Sequence, residues 1–449
     1  MTKCDRENIE FSSLKSKKIL ADFNGGKLTS DTGALLLREI DRRLGLIEAI
    51  SNGIDDPRHP SFTQHDQRAM LAQRIYAIAL GYEDLNDHNS LRDDPVMQTI
   101  STQSAQMQKS LASPPTLCRL ENRISRQDLI RIAEIFVEQF IASHKQPPKE
   151  LILDFDPTDD EVHGNQEGRF FHGYYDHYCF LPLYVYCGSQ LLVAYLRSSK
   201  IDPARHSRAI LKLLVRRFRE VWPEVKIIFR GDSEFCRWRL LRWCEKHDVY
   251  YIVGLAKNAV LMRLGKSWIE KAKERFQQSK QKQRIFGEFQ YAAKTWDRQH
   301  RVIIKAEHLP QGANTRFTVT NLAGEPKHLY DDIYCQRGDM ENRIKEQQLQ
   351  LFSDRTSCHD FLANQFRVLL SAAAYILVEH LRREHLTGTE LANAQVNTIR
   401  LKLFKIGARV IWSVRRIVFH LPSGYPLKEL FMQIVFHLKA PLNPSLVFR

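Results

Sequence analysis

Leu151-Ile152-Leu153-Asp154-Phe155-Asp156-Pro157-Thr158 is the stretch from which the rest of the chain is read. Apolar residues alternate loosely with two aspartates, and a proline ends the run. The pattern predicts a short buried strand with carboxylates at its C-terminal end. An unpaired buried carboxylate is costly to desolvate, so Asp154 and Asp156 need partners. One solution is divalent metal shared with Asp232 and Glu341 further along. The other, for Asp154, is a structural ion pair with an arginine.

Upstream, Gln146-Pro147-Pro148 breaks the chain. Downstream, residues 180–187 and 190–197 read as strands joined by Gly188-Ser189, a two-residue hairpin signal. Residues 203–222 form an amphipathic helix with Ile210, Leu211, Leu214 and Phe218 on one side. A strand at 225–230 ends at Gly231-Asp232, then comes a helix at 234–247 and a strand at 249–255. Three antiparallel strands followed by helix–strand–helix–strand is the order of an RNase H-like core, a mixed five-stranded sheet with flanking helices. Asp156 and Asp232 both fall at strand C-terminal ends, where open α/β sheets place their sites.

Five regions follow. Residues 1–148 are mostly helical, with a possible strand at 18–23. Residues 149–261 are the first part of the core. Residues 262–332 interrupt it as a small β-rich insertion, with a basic helix at 267–282. Residues 333–385 complete the core with the Glu341 helix and a strongly apolar helix. Residues 386–449 are a basic helical C-terminal region.

Composition fixes the class. The chain has 449 residues, 43% apolar and 26% charged, which suits a globular protein of two or three domains. No run of eighteen apolar residues exists, so no membrane span is expected. The polar N-terminus leads into no apolar segment, which argues against a secretory signal. None of the eight cysteines forms a C-x-x-C pair, which argues against structural zinc and for reduced thiols in a cytosolic protein. The net charge of +14 is uneven. Lys and Arg outnumber Asp and Glu by 13 to 6 over residues 200–246, 13 to 4 over 257–305 and 6 to 0 over 396–418. Residues 151–178 instead carry seven acids and one base. A cationic protein with one acidic pocket suits a polyanion that meets its active site through metal ions. Solvated helix faces are the plain alternative.

Tyr334, Arg337 and Glu341 lie at i, i+3 and i+7, on one face of a helix, and Lys345 extends the stripe. Gly338 weakens that helix by about 1 kcal/mol, so it is expected to start near Asp339, with Tyr334 and Arg337 in the preceding turn. Three carboxylates from two strand ends and a helix form an oxygen ligand set for two Mg²⁺ ions, with open positions for water and phosphate. Arg337 and Lys345 are placed to hold phosphates. Taken singly, Asp232 reads as a helix N-cap and Glu341 as a solvated helix residue.

Three segments, in order, resemble the DDE transposases of bacterial insertion sequences: residues 153–164, beginning Leu153-Asp154-Phe155-Asp156; Arg230-Gly231-Asp232-Ser233-Glu234-Phe235; and residues 334–346, with the pattern Y-x-x-R-x-x-x-E. The likeness extends to residues 81–88 and 364–367. It is to the branch with a β-rich insertion between the second Asp and the Glu, here 109 positions apart. The resemblance implies Asp156, Asp232 and Glu341 as the catalytic, metal-binding triad, with Asp154 the runner-up for the first position. It implies Mg²⁺ as cofactor, two ions, with Mn²⁺ able to substitute. Tyr334, Arg337, Lys345, Trp296, Arg298 and Arg301 are the implied DNA contacts. The related signature has Lys seven residues after the Glu, where this chain has Gln348. Trp296, beside Lys294, Arg298 and Arg301, is either a core residue or, as in related transposases, a ring that stacks a flipped base during hairpin formation.

The expected activity is metal-dependent cleavage at transposon ends and strand transfer into target DNA, by cut-and-paste through hairpin ends or otherwise. Expected partners are double-stranded DNA, at terminal inverted repeats and target, and a second copy in a synaptic homodimer, with no membrane. Arg119, Arg123 and Arg126 are candidate contacts to the repeats, and the basic helix around 400–416 a candidate for phosphates or the second protomer. The expected compartment is the bacterial cytoplasm, at the nucleoid. Rival readings are a nuclease on the same core and a catalytically inactive DNA-binding derivative.

Overall fold

The computed structural model describes residues 9–102 and 109–439. These form two compact units. One consists of Asn52–Asp55 and Glu121–Glu379, and its centre is a nine-stranded sheet. Strand β1 (Glu150–Pro157) pairs antiparallel with β2 (Leu183–Cys187), which pairs antiparallel with β3 (Gln190–Tyr195). The β2–β3 turn uses Gly188 at φ +60°, a conformation that glycine adopts without steric cost. Strand β4 (Lys226–Gly231) lies parallel to β1, and β5 (Tyr250–Leu255) parallel to β4. The order β3-β2-β1-β4-β5 is that of an RNase H-like core.

The insertion does not stand apart. Strands β6 (Gln283–Tyr291), β7 (His300–Leu309) and β8 (Arg316–Thr320) extend the same sheet, because β8 pairs antiparallel with β5 and β7 with β8 and β6. The open edge of β5 would otherwise expose unpaired backbone groups.

The two faces of β1 have different roles. Leu151, Leu153 and Phe155 enter a core with α1 (Arg126–Ala142), α2 (Ser207–Val221) and α3 (Trp238–Lys246). Ile152, Asp154 and Asp156 face the other way. There Ile228, Ile252 and Ile303 pack against Leu329 and Tyr330 of a helical run. Helix α1 thus belongs to this unit, although the Pro147-Pro148 break suggested a boundary after it.

The helical run spans 326–350 without a break. It passes through a π turn at Leu329–Tyr334, a 3₁₀ turn at Cys335–Arg337, α4 (Gly338–Lys345) and a second π turn at Glu346–Gln350. It begins well before Asp339, so Tyr334 and Arg337 are helical and not in a preceding turn. Gly338 keeps ordinary helical angles, φ −58° and ψ −25°. Packing on the sheet outweighs its small intrinsic cost. Helix α5 (Phe361–His385) is long and apolar enough to cross a membrane, but 83% of its most apolar window is buried in protein. It bonds to the end of β3 through Gln365 at Leu196 and Ala194 and to the β2–β3 turn through Tyr375 at Ser189.

The other unit combines residues 1–51, 56–120 and 380–443, as far as they are described. Its central helix, Gln67–Leu80, is capped by Asp66, whose carboxylate accepts from the Ala69 N–H at 2.7 Å. Arg400 is buried there and donates to the Ala79 carbonyl at 2.9 Å, so it is not an exposed phosphate contact. The expected basic helix around 400–416 ends at Phe404. Ala408–Trp412 and Ile417–His420 are antiparallel strands, and the first also pairs with Leu28–Thr29. Burial alternates along Ala408–Val410, a period of two that suits a strand. The possible strand at 18–23 is present as Lys17–Ala21, and it pairs antiparallel with Ile9–Leu14 in a hairpin. Arg119 is exposed on the helix Pro114–Asn122.

A candidate active site

Parallel pairing of β1 with β4 sets Arg230 beside Asp154. The Arg230 guanidinium grips Asp154 with two N–H donors, one of them at 2.6 Å, and donates a third to the Ile333 carbonyl. Both side chains are buried, at 7% and 2% exposure. Burial raises the Asp154 carboxyl, and the Arg230 fork pulls it back. Asp154 is therefore in a structural ion pair. Through Ile333, that same arginine braces the 326–350 run onto the sheet. The sequence reading assigned Arg230 no role, because cross-strand neighbours are invisible to local pattern.

One pleat further on, Asp156 reaches the end of β1 on the same face. Asp232 follows β4 directly. Its carboxylate accepts from the Glu234 N–H at 2.8 Å, capping the short 3₁₀ turn Ser233–Phe235. The cap and a place beside Asp156 prove compatible. Glu341 projects from α4. Arg337 lies between the acids, 2.6 Å from Glu341 Oε1 and 3.4 Å from Asp156 Oδ2. Burial pushes the Asp156 carboxyl up to about 8, against the pull of Arg337 and with Asp232, Glu341 and Asp154 adding repulsion. Burial also raises Asp232, with Glu341 adding to it. Burial works against the charge on Arg337, but Asp156, Glu341, Tyr334 and Asp232 hold its proton above the usual range. Asp156, Asp232 and Glu341 thus share one electrostatic pocket around a single guanidinium.

Among the described residues, no group of three or more His, Cys, Asp or Glu side chains is arranged as a metal-ligand set. The donor chemistry nevertheless fits a hard cation. Three carboxylates face one arginine, and a divalent ion would offset both the burial that chiefly lifts Asp156 and the repulsion that adds to it. Arg337 occupies the space between two of the donors.

Tyr334 seats its hydroxyl over Gly254 of β5. A Cβ there would meet Tyr334 Oη at 2.7 Å and the Ser233 backbone N at 2.8 Å. Gly254 thus permits the approach of helix and Asp232 turn, a role no motif signalled. Gln348 clasps the end of β1, donating to the Asp159 carbonyl at 2.8 Å and accepting from the Thr158 hydroxyl at 3.4 Å. Lys345 is exposed. Trp296 does not come to the carboxylates: it is half-buried among Trp238, Tyr291 and His300. Arg298 pairs with Glu245, and Arg301 with Glu288 and the Leu322 and Gly324 carbonyls.

No curated protein matches the chain. Among solved structures, a chain described as "Cryo-EM structure of piggyBac transposase synaptic complex with hairpin DNA (SNHP)" is 11% identical, with a TM-score of 0.43, covering 93% of this chain and 84% of that one. The family described as "Transposase DDE domain group 1" matches residues 11–441, nearly the whole chain. The chain belongs to that family of DDE transposases, enzymes that cleave DNA and transfer strands.

Proposed function

We propose that Asp156, Asp232 and Glu341 are the catalytic carboxylates of this transposase, acting at transposon ends and then on target DNA. The observation that carries the reading is the pocket itself: acids from two adjacent strand ends and one helix, mutually repelling around Arg337. These three residues would hold Mg²⁺, two ions in this reading, with Mn²⁺ as substitute. When bound, the metal supplies neutralisation of phosphate charge and activation of the attacking oxygen.

The chain's own residues do the rest. Asp156 gives up its proton as the pocket gains positive charge. Arg337 leaves Glu341 and Asp156 to pair with a phosphate beside the scissile one, a contact its planar fork suits. Tyr334, fixed over Gly254, and Gln348, clasping Thr158 and Asp159, keep the helix and the β1 end in register. In the first step a water oxygen attacks phosphorus and the 3′-oxygen leaves. In the second, that 3′-OH attacks another phosphorus, on the opposite strand to form a hairpin or in target DNA. Both are phosphoryl transfers that depend on positioning and charge. Joining two ends to one target requires two copies of the chain, a homodimer in this reading.

Pre-cut transposon ends incubated with Mg²⁺ and a target plasmid test the assignment. Joined product that vanishes in Asp232→Asn, with end binding retained, is the expected result. Cleavage without joining favours the nuclease reading, and unchanged joining in Asp232→Asn removes that residue from the mechanism.

A further inference from the structure

Between β3 and α2 the chain makes a cationic turn over a buried arginine. Across residues 196–208 Lys and Arg outnumber Asp and Glu by 4 to 1, and the one acid, Asp202, is paired with Arg237 at 2.8 Å. Arg197 is 2% exposed. Its Nε donates to the Leu181 carbonyl at 2.8 Å, and its Nη1 donates to the carbonyls of Pro203 and Arg205 at 2.8 and 2.7 Å. Nη2 has no partner. All three acceptors are backbone carbonyls and none is a carboxylate. Burial pushes Arg197 down to about 10. A buried cation ordinarily lies against an anion, because pairing offsets its lost hydration.

The turn that Arg197 supports leads directly into α2. The residue before that helix is His206, at φ +72°; its side chain makes no capping bond, and the first turn holds no acidic residue. First-turn N–H groups have no acceptor within their own helix and carry partial positive charge. Ser207, the first helical residue, is fully buried and its hydroxyl has no partner. Arg205 and Arg208, on either side, are exposed. The place adjoins Asp232. Burial and Asp232 lift the Glu234 carboxyl, and Arg237 and Arg197 pull it back. The Glu234 N–H in turn donates to Asp232.

We propose that the N-terminus of α2, with Arg205 and Arg208, binds one backbone phosphate of the DNA, a different phosphate from the one assigned to Arg337. The chemistry selects an oxyanion. Helix N–H groups donate to it, two guanidinium forks bracket it, and Arg197 adds its field from beneath the turn. The family acts on DNA, so the oxyanion here is a phosphodiester. One phosphate held at a helix end fixes the register of a strand without reading its sequence. This site does not depend on which carboxylates are catalytic.

The test measures binding of transposon-end duplexes in EDTA. Each duplex carries one methylphosphonate, which removes a single phosphate charge, at successive positions around the cleavage site. In wild type one position should cost roughly tenfold in affinity and its neighbours less. In Arg205→Ala/Arg208→Ala, whose exposed substitutions should leave the fold intact, binding should weaken and its slope against log salt should become shallower by about 1. The sensitive position should then cost nothing further. Lys212→Ala/Arg216→Ala removes two charges from later turns of the same helix and should keep the position effect. No position standing out in wild type, or the same loss at that position in Arg205→Ala/Arg208→Ala, overturns the proposal, since the cations would then act only as a diffuse field. So does a melting midpoint raised by inorganic phosphate at matched ionic strength with no methylphosphonate effect, which would make this a site for free phosphate. Cleavage plays no part in the readout, so failure of this site and failure of the Asp156 assignment are told apart.

Discussion

Asp154 and Asp156 stand two residues apart on one strand, yet asparagine at each should move stability in opposite directions. Asp154→Asn keeps the side-chain shape and removes the charge facing Arg230. With Arg230 only 7% exposed, its guanidinium stays buried without a counter-charge. Breaking a buried pair in this way costs about 3–5 kcal/mol. Asp156 is the reverse case. Its carboxyl rises from 3.8 to about 8 in the fold. The unfolded chain therefore ionises at lower pH than the folded one, and stability falls as pH climbs from near 4 through 8. At about 1.4 kcal/mol per unit, the ceiling on that loss is roughly 5–6 kcal/mol above pH 8. Asp156→Asn removes the loss. Thermal unfolding in EDTA measures both effects. Asp154→Asn should melt well below wild type at pH 8. Asp156→Asn should match wild type near pH 4 and melt above it at pH 8. A midpoint for Asp156→Asn no higher than wild type at pH 8, or no penalty for Asp154→Asn, would refute this division of roles.

Four further outcomes follow from the same geometry. Gly254→Ala should cost about 1–3 kcal/mol of overpacking and slow single-turnover cleavage while a gel shift shows unchanged end binding, because the methyl meets Tyr334 and the Ser233 backbone. Arg337→Gln should lower the metal-free melting midpoint at pH 8 and enlarge the rise on adding Mn²⁺, since no positive charge then sits between Asp156 and Glu341; an unchanged metal-free midpoint would contradict that. At subsaturating Mg²⁺, cleavage should rise with pH, approaching tenfold per unit below about 8 and levelling above it, as Asp156 ionises; a flat profile would show that Asp156 is already charged. Trp296→Ala should lower stability, by less than the ~3–5 kcal/mol of a fully buried ring, and slow nicking and hairpin formation equally; selective loss of the hairpin step would restore the base-flipping role.

Sequence periodicity served well where structure is local. The hairpin at Gly188-Ser189 and the strands ending at Asp156 and Asp232 are where their patterns placed them. It served less well where two elements choose each other. Gly338 suggested a late helix start, yet packing on Ile228, Ile252 and Ile303 holds the run helical from Pro326. The insertion looked separate, because pairing of β8 with β5 spans residues far apart in sequence. The charges at 400–416 suggested a helix, but an alternation of only a few residues decided for strands.

By itself the sequence determined the order of the strands, the identities of Asp156, Asp232 and Glu341 as candidates, and the family they resemble. Each of those depends on residue type and spacing along the chain. Only the tertiary structure decided that Asp154 is committed to Arg230, that Arg337 sits between Asp156 and Glu341, that Gly254 makes room for Tyr334, and that Trp296 is half-buried among Trp238, Tyr291 and His300. The reason is physical: desolvation and pairing depend on which groups meet through space, and a chain records spacing without recording neighbours.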